Sequence, residues 1–535
     1  MGSMRPFAPY LLTGFLLVAA FSPSPVGVLS LIAYVPLLLV LTTDAVTLST
    51  AKRRWALYIT FAVFHIGTNW WISSWQERTD PYLFASGLAL CVFHPFFLMA
   101  PWAVVGAIAR RSRRFALVLA PIVVTAFEWA HGQTDASYPW LTTGYMVVGN
   151  DLAQLAEWVG VYGLTFMILC VNVAVSVAWM GWRRYPRRSR VVATSITLFV
   201  GIWWTLGYTL REGASLAFRK GGGTSVALVQ PDEDPWEKWS DPRIQVRRHI
   251  SMVDSVRASG KRVDLVVWSE TAIPFPIRDA RYSPEWESLR TWIDTSGISL
   301  LTGYSDFYVY PTGTAPPSAR TSTLDLTTRF DAFNAAMLIE PGRSDIPVHR
   351  KTMLTPVAER LPFADQLTFA MSWFEWGVGI SSWGKGAVRE PLPSRHPPQI
   401  GVIICIESIY PEVALDLVRN GANVLCVITN DAWYNGTPGP RQHYDIARMR
   451  AIEQRKTLLR CANSGVTGVI LPNGASAAEI PALEPGVLTL PVYTNEERTV
   501  FSRIGNLPAQ IFAVCTAGIL LTLIVLRTRE RRRSS

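Results

Sequence analysis

The sequence has no Cys-x-x-Cys pair and no grouping of His and Cys at metal-ligand spacing, which argues against a zinc site. No metal and no cofactor are expected. Its cysteines number six, and Cys91, Cys170 and Cys515 lie inside apolar runs, where lipid or helix packing is their expected role. It also lacks internal repeats and low-complexity stretches, which leaves ordinary folded units. The first apolar run has no small-residue cleavage site and further spans follow it. It therefore reads as a retained helix and not as a signal peptide.

Apolar residues are abundant. They make up 49% of the 535 residues, with 21 Trp, and the mean hydropathy is +0.21. Such a chain is expected to cross a membrane. The net charge of +10 does not point to nucleic acid, because the basic residues sit in short clusters between apolar runs. Candidate spans are residues 8–23, 26–43, 56–75, 83–109, 115–131, 160–182, 191–210 and 508–526. The basic clusters are Lys52-Arg53-Arg54, Arg110 to Arg114, Arg183 to Arg188 and Arg527 to Arg533. With eight spans and a cytoplasmic N-terminus, all four clusters fall on the cytoplasmic side, as the positive-inside rule requires. The expected division is then 1–210 as a transmembrane helical domain of about seven spans, 211–507 as an extracytoplasmic domain, and 508–535 as a last span with a basic cytoplasmic tail.

The middle stretch is different in kind. Short β-rich runs recur at Ser225 to Val229, Val263 to Trp268, Ser299 to Gly303, Ala335 to Ile339, Ile400 to Cys405, Val424 to Thr429 and Val466 to Leu471. Helical stretches alternate with several of them, such as Ile446 to Leu459. Continuous apolar strands alternating with helices predict an α/β domain with buried sheets.

Cys405 ends the run Gly401-Val-Ile-Ile-Cys405. Alone it is one more small buried residue, the usual fate of a free cysteine. Two charged residues change that reading. Glu270 ends the run Val263 to Glu270, and Lys351 follows His349-Arg350. A thiol with a free pKa of about 8.5 needs a base or a cationic neighbour to act as a nucleophile. A carboxylate at one strand end takes the proton. A lysine at another stabilises the thiolate and then the tetrahedral oxyanion.

The three segments are Trp268-Ser-Glu270-Thr-Ala-Ile-Pro274, then Lys351 with Pro356-Val-Ala-Glu359-Arg-Leu-Pro362, then Cys405-Ile-Glu407. Further along come Thr429-Asn430-Asp431-Ala-Trp433-Tyr434, His443 to Glu453 and Arg460-Cys-Ala-Asn463-Ser464-Gly465. This order resembles the nitrilase, or carbon–nitrogen hydrolase, superfamily. Set in a multi-span chain that also carries Phe127-Glu128-Trp129, Pro139-Trp140-Leu141 and Gly160-Val-Tyr162-Gly163-Leu164, it is similar to the apolipoprotein N-acyltransferase family. The resemblance implies a multi-span α-helical membrane domain plus an α/β nitrilase-like αββα sandwich. It implies a bacterial inner-membrane enzyme, expected to act as a monomer, with its catalytic domain in the periplasm. The acyl donor would be a membrane phospholipid and the acceptor a diacylglyceryl apolipoprotein, with a thioester on Cys405 between them. Glu270 would be the general base and Lys351 the oxyanion stabiliser. Glu359, Glu407 and Asn334 would support them, and Trp239, Trp433 and Tyr434 would meet substrate. The sequence departs from the family in Ile406, where a Tyr is common, and in Ala358, where Gly is usual.

The stretch from Phe363 to Trp376 is dense in apolar residues, and reads either as a packed loop or as a lid dipping into lipid. His65 and Asn69, one helical turn apart, are expected to face a bundle interior and bond between helices. Glu128 either positions a head group or caps a helix contact. His443 is expected to be structural. The alternative functions are a membrane-anchored amidase acting on a soluble C–N substrate, for which eight spans are excessive, and a transporter or receptor, which the few intramembrane charges oppose.

Overall fold

The computed structural model describes residues 5–43, 48–73, 81–217, 223–234, 236, 242–322, 325–371 and 383–534. It comprises two compact units. One is Met1–Ser74, Phe84–Glu212 and Arg503–Ser535; the other is Trp75–Leu83 and Gly213–Ser502.

The first unit is helical. Among the described residues, five helices are long and apolar enough to cross a membrane: Leu83–Ala109, Arg113–His131, Asp151–Gly181, Pro186–Ser215 and Leu507–Arg532. The chain is a multi-pass membrane protein on that ground. Ala8–Ala20 and Gly27–Thr42 are apolar but shorter. Thirteen residues of α-helix reach about 20 Å, short of a hydrocarbon core of about 30 Å. Thr50–Asn69 is longer but carries Lys52, Arg53 and Arg54 near its start. Gly160, at φ 66°, breaks the helical path of Ala156–Gly181, a conformation that side chains avoid.

Polar groups in this unit bond to one another across helices. His65 Nδ1 lies 2.9 Å from His94 Nδ1, and Asn69 Nδ2 donates to the Tyr138 hydroxyl at 3.0 Å. Glu128 accepts from Thr143 Oγ1 at 2.6 Å and from Thr165 Oγ1 at 2.8 Å. It ties one helix to two neighbouring segments, as the capping alternative requires.

The second unit is a sandwich of two sheets. Its strands are β1 (Thr224–Gln230), β2 (Leu265–Val267), β3 (Ser299–Val309), β4 (Arg320–Thr321), β5 (Arg329–Ile339), β6 (Val348–Arg350), β7 (Ile400–Ile404), β8 (Val424–Thr429), β9 (Thr457–Ala462), β10 (Thr467–Ile470), β11 (Ser476–Ile480) and β12 (Gly486–Val492). The first sheet has the order β12-β1-β2-β3-β5-β4, with β6 beside β5; the second runs β11-β10-β9-β8-β7. β1, β2 and β3 are parallel, as are β7, β8 and β9.

The period-2 alternation of a strand sorts the residues into layers. Val226 and Leu228 face the other sheet, where they join Val402, Ile404, Cys426, Ile428, Leu459 and Cys461. Ala227 and Val229 point the opposite way, toward Val246, Val253, Leu289 and Ile293 on helices Pro242–Ala258 and Ser283–Ser296. Helices Pro411–Arg419 and Gly439–Gln454 pack on β7 and β9. The layers are therefore α, β, β, α. β2, β7, β8, β9 and β10 are buried on both faces along their whole length, so such runs read as continuously apolar.

One expected helix is shorter at its end. The stretch from Ile446 leaves the helix at Gln454, and Leu458 and Leu459 stand in β9. Arg455 makes the break by adopting φ 49°, a left-handed stop usually given to glycine.

Candidate active site

Three strand ends converge. Glu270 follows β2 across Trp268 and Ser269, Lys351 follows β6 directly, and Cys405 follows β7 directly. Left-handed backbone recurs around them, at Thr271 (φ 48°), Val357 (φ 68°) and Cys405 (φ 52°). None of these is glycine and two are β-branched, which is costly and tends to mark functional sites. Gly303 on β3 makes room for the Glu270 turn. A Cβ there would lie 2.6 Å from the Ser269 carbonyl oxygen and 2.8 Å from Glu270 Cα.

Lys351 is buried and its ammonium is shared between two carboxylates. Nζ donates to Glu270 Oε1 at 3.2 Å and to Glu359 Oε1 at 2.8 Å. Asn334, on β5, bridges the same two oxygens, donating at 2.6 Å and 3.2 Å. Its carbonyl accepts from the Lys351 N–H at 2.9 Å, so one residue fixes both the strand and the head group. Glu270 Oε2 accepts from the Asn430 N–H at 2.8 Å, and Glu359 Oε2 from the Thr355 N–H at 2.7 Å. Burial works against the charge on Lys351, but Glu270 and Glu359, with Cys405, outweigh it and hold the ammonium well above its usual range.

The cysteine responds to the same field. Burial pushes the Cys405 thiol well up, Glu270, Asp431 and Glu359 push it further, and only Lys351 pulls it down. Three carboxylates against one ammonium favour the protonated thiol, so the field around Cys405 calls for a base to take its proton.

Glu407, two residues after Cys405, lies outside this cluster and buried behind it. Oε1 accepts from Thr352 N at 2.6 Å, Thr352 Oγ1 at 2.8 Å and Met353 N at 3.2 Å; Oε2 accepts from Ile404 N at 2.7 Å. One carboxylate thus clamps the turn after Lys351 to the strand before Cys405. Burial alone would raise its pKa, but the bonds from His349, Ile404 and Thr352 bring it down to about 2.

Tyr434 lies near the thiol: burial pushes its hydroxyl well up and Cys405 adds to the shift. Trp433 stacks edge-on with Trp236, ring centroids 5.5 Å apart. Trp239 lies outside the described residues, as do Trp373, Phe374 and Trp376 of the aromatic stretch. Of that stretch, Phe363 and Phe369 are exposed.

The sequence reading gave Asp431 and Arg460 no role of their own and expected His443 to be structural. Asp431 Oδ2 accepts from Arg460 Nη2 at 2.7 Å, Asp431 Oδ1 lies 2.9 Å from His443 Nδ1, and His443 Nε2 lies 3.1 Å from the Cys405 carbonyl oxygen. All three stand in segments that carried the family resemblance, but they are spread over 29 residues from Asp431 to Arg460, and only the fold brings them to one place.

A family model described as carbon-nitrogen hydrolase matches residues 225–496, and one described as apolipoprotein N-acyltransferase N-terminal domain matches residues 13–174. The chain is 33% identical to an apolipoprotein N-acyltransferase of Chlorobaculum tepidum, across 98% of this chain and 97% of that protein. It is 28% identical to an apolipoprotein N-acyltransferase of Geobacter metallireducens, across 96% and 94% respectively. Among solved structures, a carbon-nitrogen hydrolase from Helicobacter pylori aligns with 53% of this chain and 94% of that one, at 14% identity and a TM-score of 0.38.

Proposed function

The chain belongs to the apolipoprotein N-acyltransferase family, and from that premise we propose how its site transfers an acyl chain in two half-reactions. In the first, Cys405 Sγ attacks the ester carbonyl of a membrane phospholipid. Its proton passes to Glu270, and Lys351 stabilises the oxyanion. The C–O bond breaks, the proton returns to the leaving oxygen, lysophospholipid departs and a thioester remains. In the second, the α-amino group of a diacylglyceryl-cysteine apolipoprotein attacks the thioester. Glu270 takes the amine proton and returns it to sulfur as the C–S bond breaks. Acids and bases of this kind contribute about 10²–10⁴-fold each.

The observation that carries this reading is the Lys351 ammonium, 3.2 Å from Glu270 and 2.8 Å from Glu359, at strand ends beside Cys405. Glu359 and Asn334 hold Lys351, Glu407 holds the two strands together, and Trp239, Trp433 and Tyr434 meet substrate. The four basic clusters support a bacterial inner-membrane location with residues 211–507 in the periplasm, flanked by membrane parts 1–210 and 508–535. All three principal residues come from one chain, which supports a monomer as the acting unit.

Intact mass after incubation with phospholipid tests the proposal. The wild type is expected to gain one acyl mass, which a diacylated lipopeptide discharges and which Cys405→Ala never acquires. Hydrolysis of a small amide without any acyl adduct would instead favour the anchored amidase.

A further inference from the structure

Three residues beyond the nucleophile lies a set of side chains that the transfer chemistry leaves unused. Ser408 Oγ is 2.8 Å from His443 Nε2, and His443 Nδ1 is 2.9 Å from Asp431 Oδ1. In connectivity this matches the hydrogen-bond chain of a Ser-His-Asp hydrolase. It does not supply a second nucleophile, because Ser408 has 0% exposure and no substrate carbonyl reaches its oxygen.

The imidazole has another partner. Its Nε2 lies 3.1 Å from the carbonyl oxygen of Cys405. A carbonyl only accepts, so the contact is a hydrogen bond in the tautomer with the proton on Nε2; Nδ1 then accepts from Arg460 Nη2 at 3.1 Å, and Ser408 Oγ shares the Nε2–H. The ring is held from behind. Asp431 is fixed by Arg460 Nη2 at 2.7 Å and by Thr429 Oγ1 at 3.0 Å, and Arg460 is itself fully buried, donating to the Val466 carbonyl at 2.6 Å. This chain of contacts starts in β9, crosses the Asp431 turn and helix Gly439–Gln454, and ends on the one peptide whose left-handed twist presents the thiol.

We propose that His443 is a positioning residue for the nucleophile: by donating to the Cys405 carbonyl it pins that peptide and so directs Sγ toward Glu270 and Lys351. The inference rests on Cys405 being the nucleophile.

The test uses the full-length enzyme in detergent, with His443→Leu, which keeps bulk without a donor, and His443→Gln, whose amide N–H reaches toward the place of Nε2. Two rates are followed by peptide mass: alkylation of Cys405 by iodoacetamide, and thioester formation from phospholipid. His443→Leu is expected to slow thioester formation by about 10²-fold, the scale of a small misplacement of reacting groups, with KM for phospholipid nearly unchanged. Alkylation is expected to slow as well, and His443→Gln to recover most of both rates. A Leu variant reacting at the wild-type rate overturns the proposal, as does a folded Gln variant as slow as Leu. If Leu does not fold, a folded Gln variant that has lost more than about tenfold is sufficient to overturn it. A wild type that is alkylated at Cys405 but forms no thioester would sink the acyl-transfer reading, while the alkylation rates would still decide the role of His443.

Discussion

The sharing of one ammonium between Glu270 and Glu359 sets the character of the thiol. The carboxylates favour a protonated thiol, and on the proposed mechanism Glu270 takes its proton during attack. Glu270→Gln removes that base, and thioester formation is expected to fall by about 10²–10⁴-fold. The same change deletes the larger of the carboxylate charges that raise the Cys405 thiol. Alkylation by iodoacetamide, which follows the thiolate fraction, is therefore expected to begin its rise at lower pH than in the wild type. An unshifted pH profile would contradict this account of the field. Glu407 makes a different prediction. Its carboxyl is held down to about 2 from an ordinary 4.5, so its contribution to stability is present above about pH 4.5 and is lost as the pH falls toward 2. Glu407→Ala strands the buried N–H groups of Thr352, Met353 and Ile404, at a cost of about 1–3 kcal/mol for each buried donor left without a partner. Thermal unfolding in detergent across pH 2.5–5 is expected to show a steep acid loss in the wild type and a flatter one, from a lower start, in Glu407→Ala.

At the scale of elements, the turn that carries Glu270 depends on a strand it does not belong to. Gly303→Ala puts a methyl against the backbone of Ser269, Glu270 and Thr271, none of which is a flexible side chain. The expected cost is about 1–3 kcal/mol of stability, with a fall in thioester formation larger than the fall in unfolding temperature alone explains. Equal activity in a folded Ala variant would show that the turn has slack. This dependence also explains what the sequence revealed. Strands β1, β2, β3, β5, β7, β8 and β10 were visible as apolar runs because both of their faces are buried. β9 was hidden inside an expected helix, since Arg455 stops that helix with a backbone twist that its side chain does not advertise. Glu270, Lys351 and Cys405 stood out because each sits at a strand end in a recognisable run. His443 read as structural, because its contact near the site is with the Cys405 carbonyl oxygen, and a backbone atom leaves no mark in a sequence.

The whole chain pairs a helical unit with a sandwich, and its basic clusters predict which side of the membrane the sandwich occupies. Single cysteines placed at exposed sites in residues 211–507 are expected to react with a membrane-impermeant maleimide in intact spheroplasts, and one placed after Arg527 only after lysis. Labelling of both before lysis would refute that topology. The distribution of the site between the two sheets has a consequence in time as well as in space. Glu270 and Lys351 belong to the first sheet and Cys405 to the second, and the Cys461 thiol reaches across, donating to the Val229 and Val267 carbonyls at 3.2 Å and 3.3 Å. A nascent chain exposes its base and its lysine well before its nucleophile, and the nucleophile strand finds its neighbours only once β8 and β9 have been made. On the proposed mechanism an unfinished chain is expected to form no thioester with the lipid around it, and reactivity to begin once the two sheets have docked.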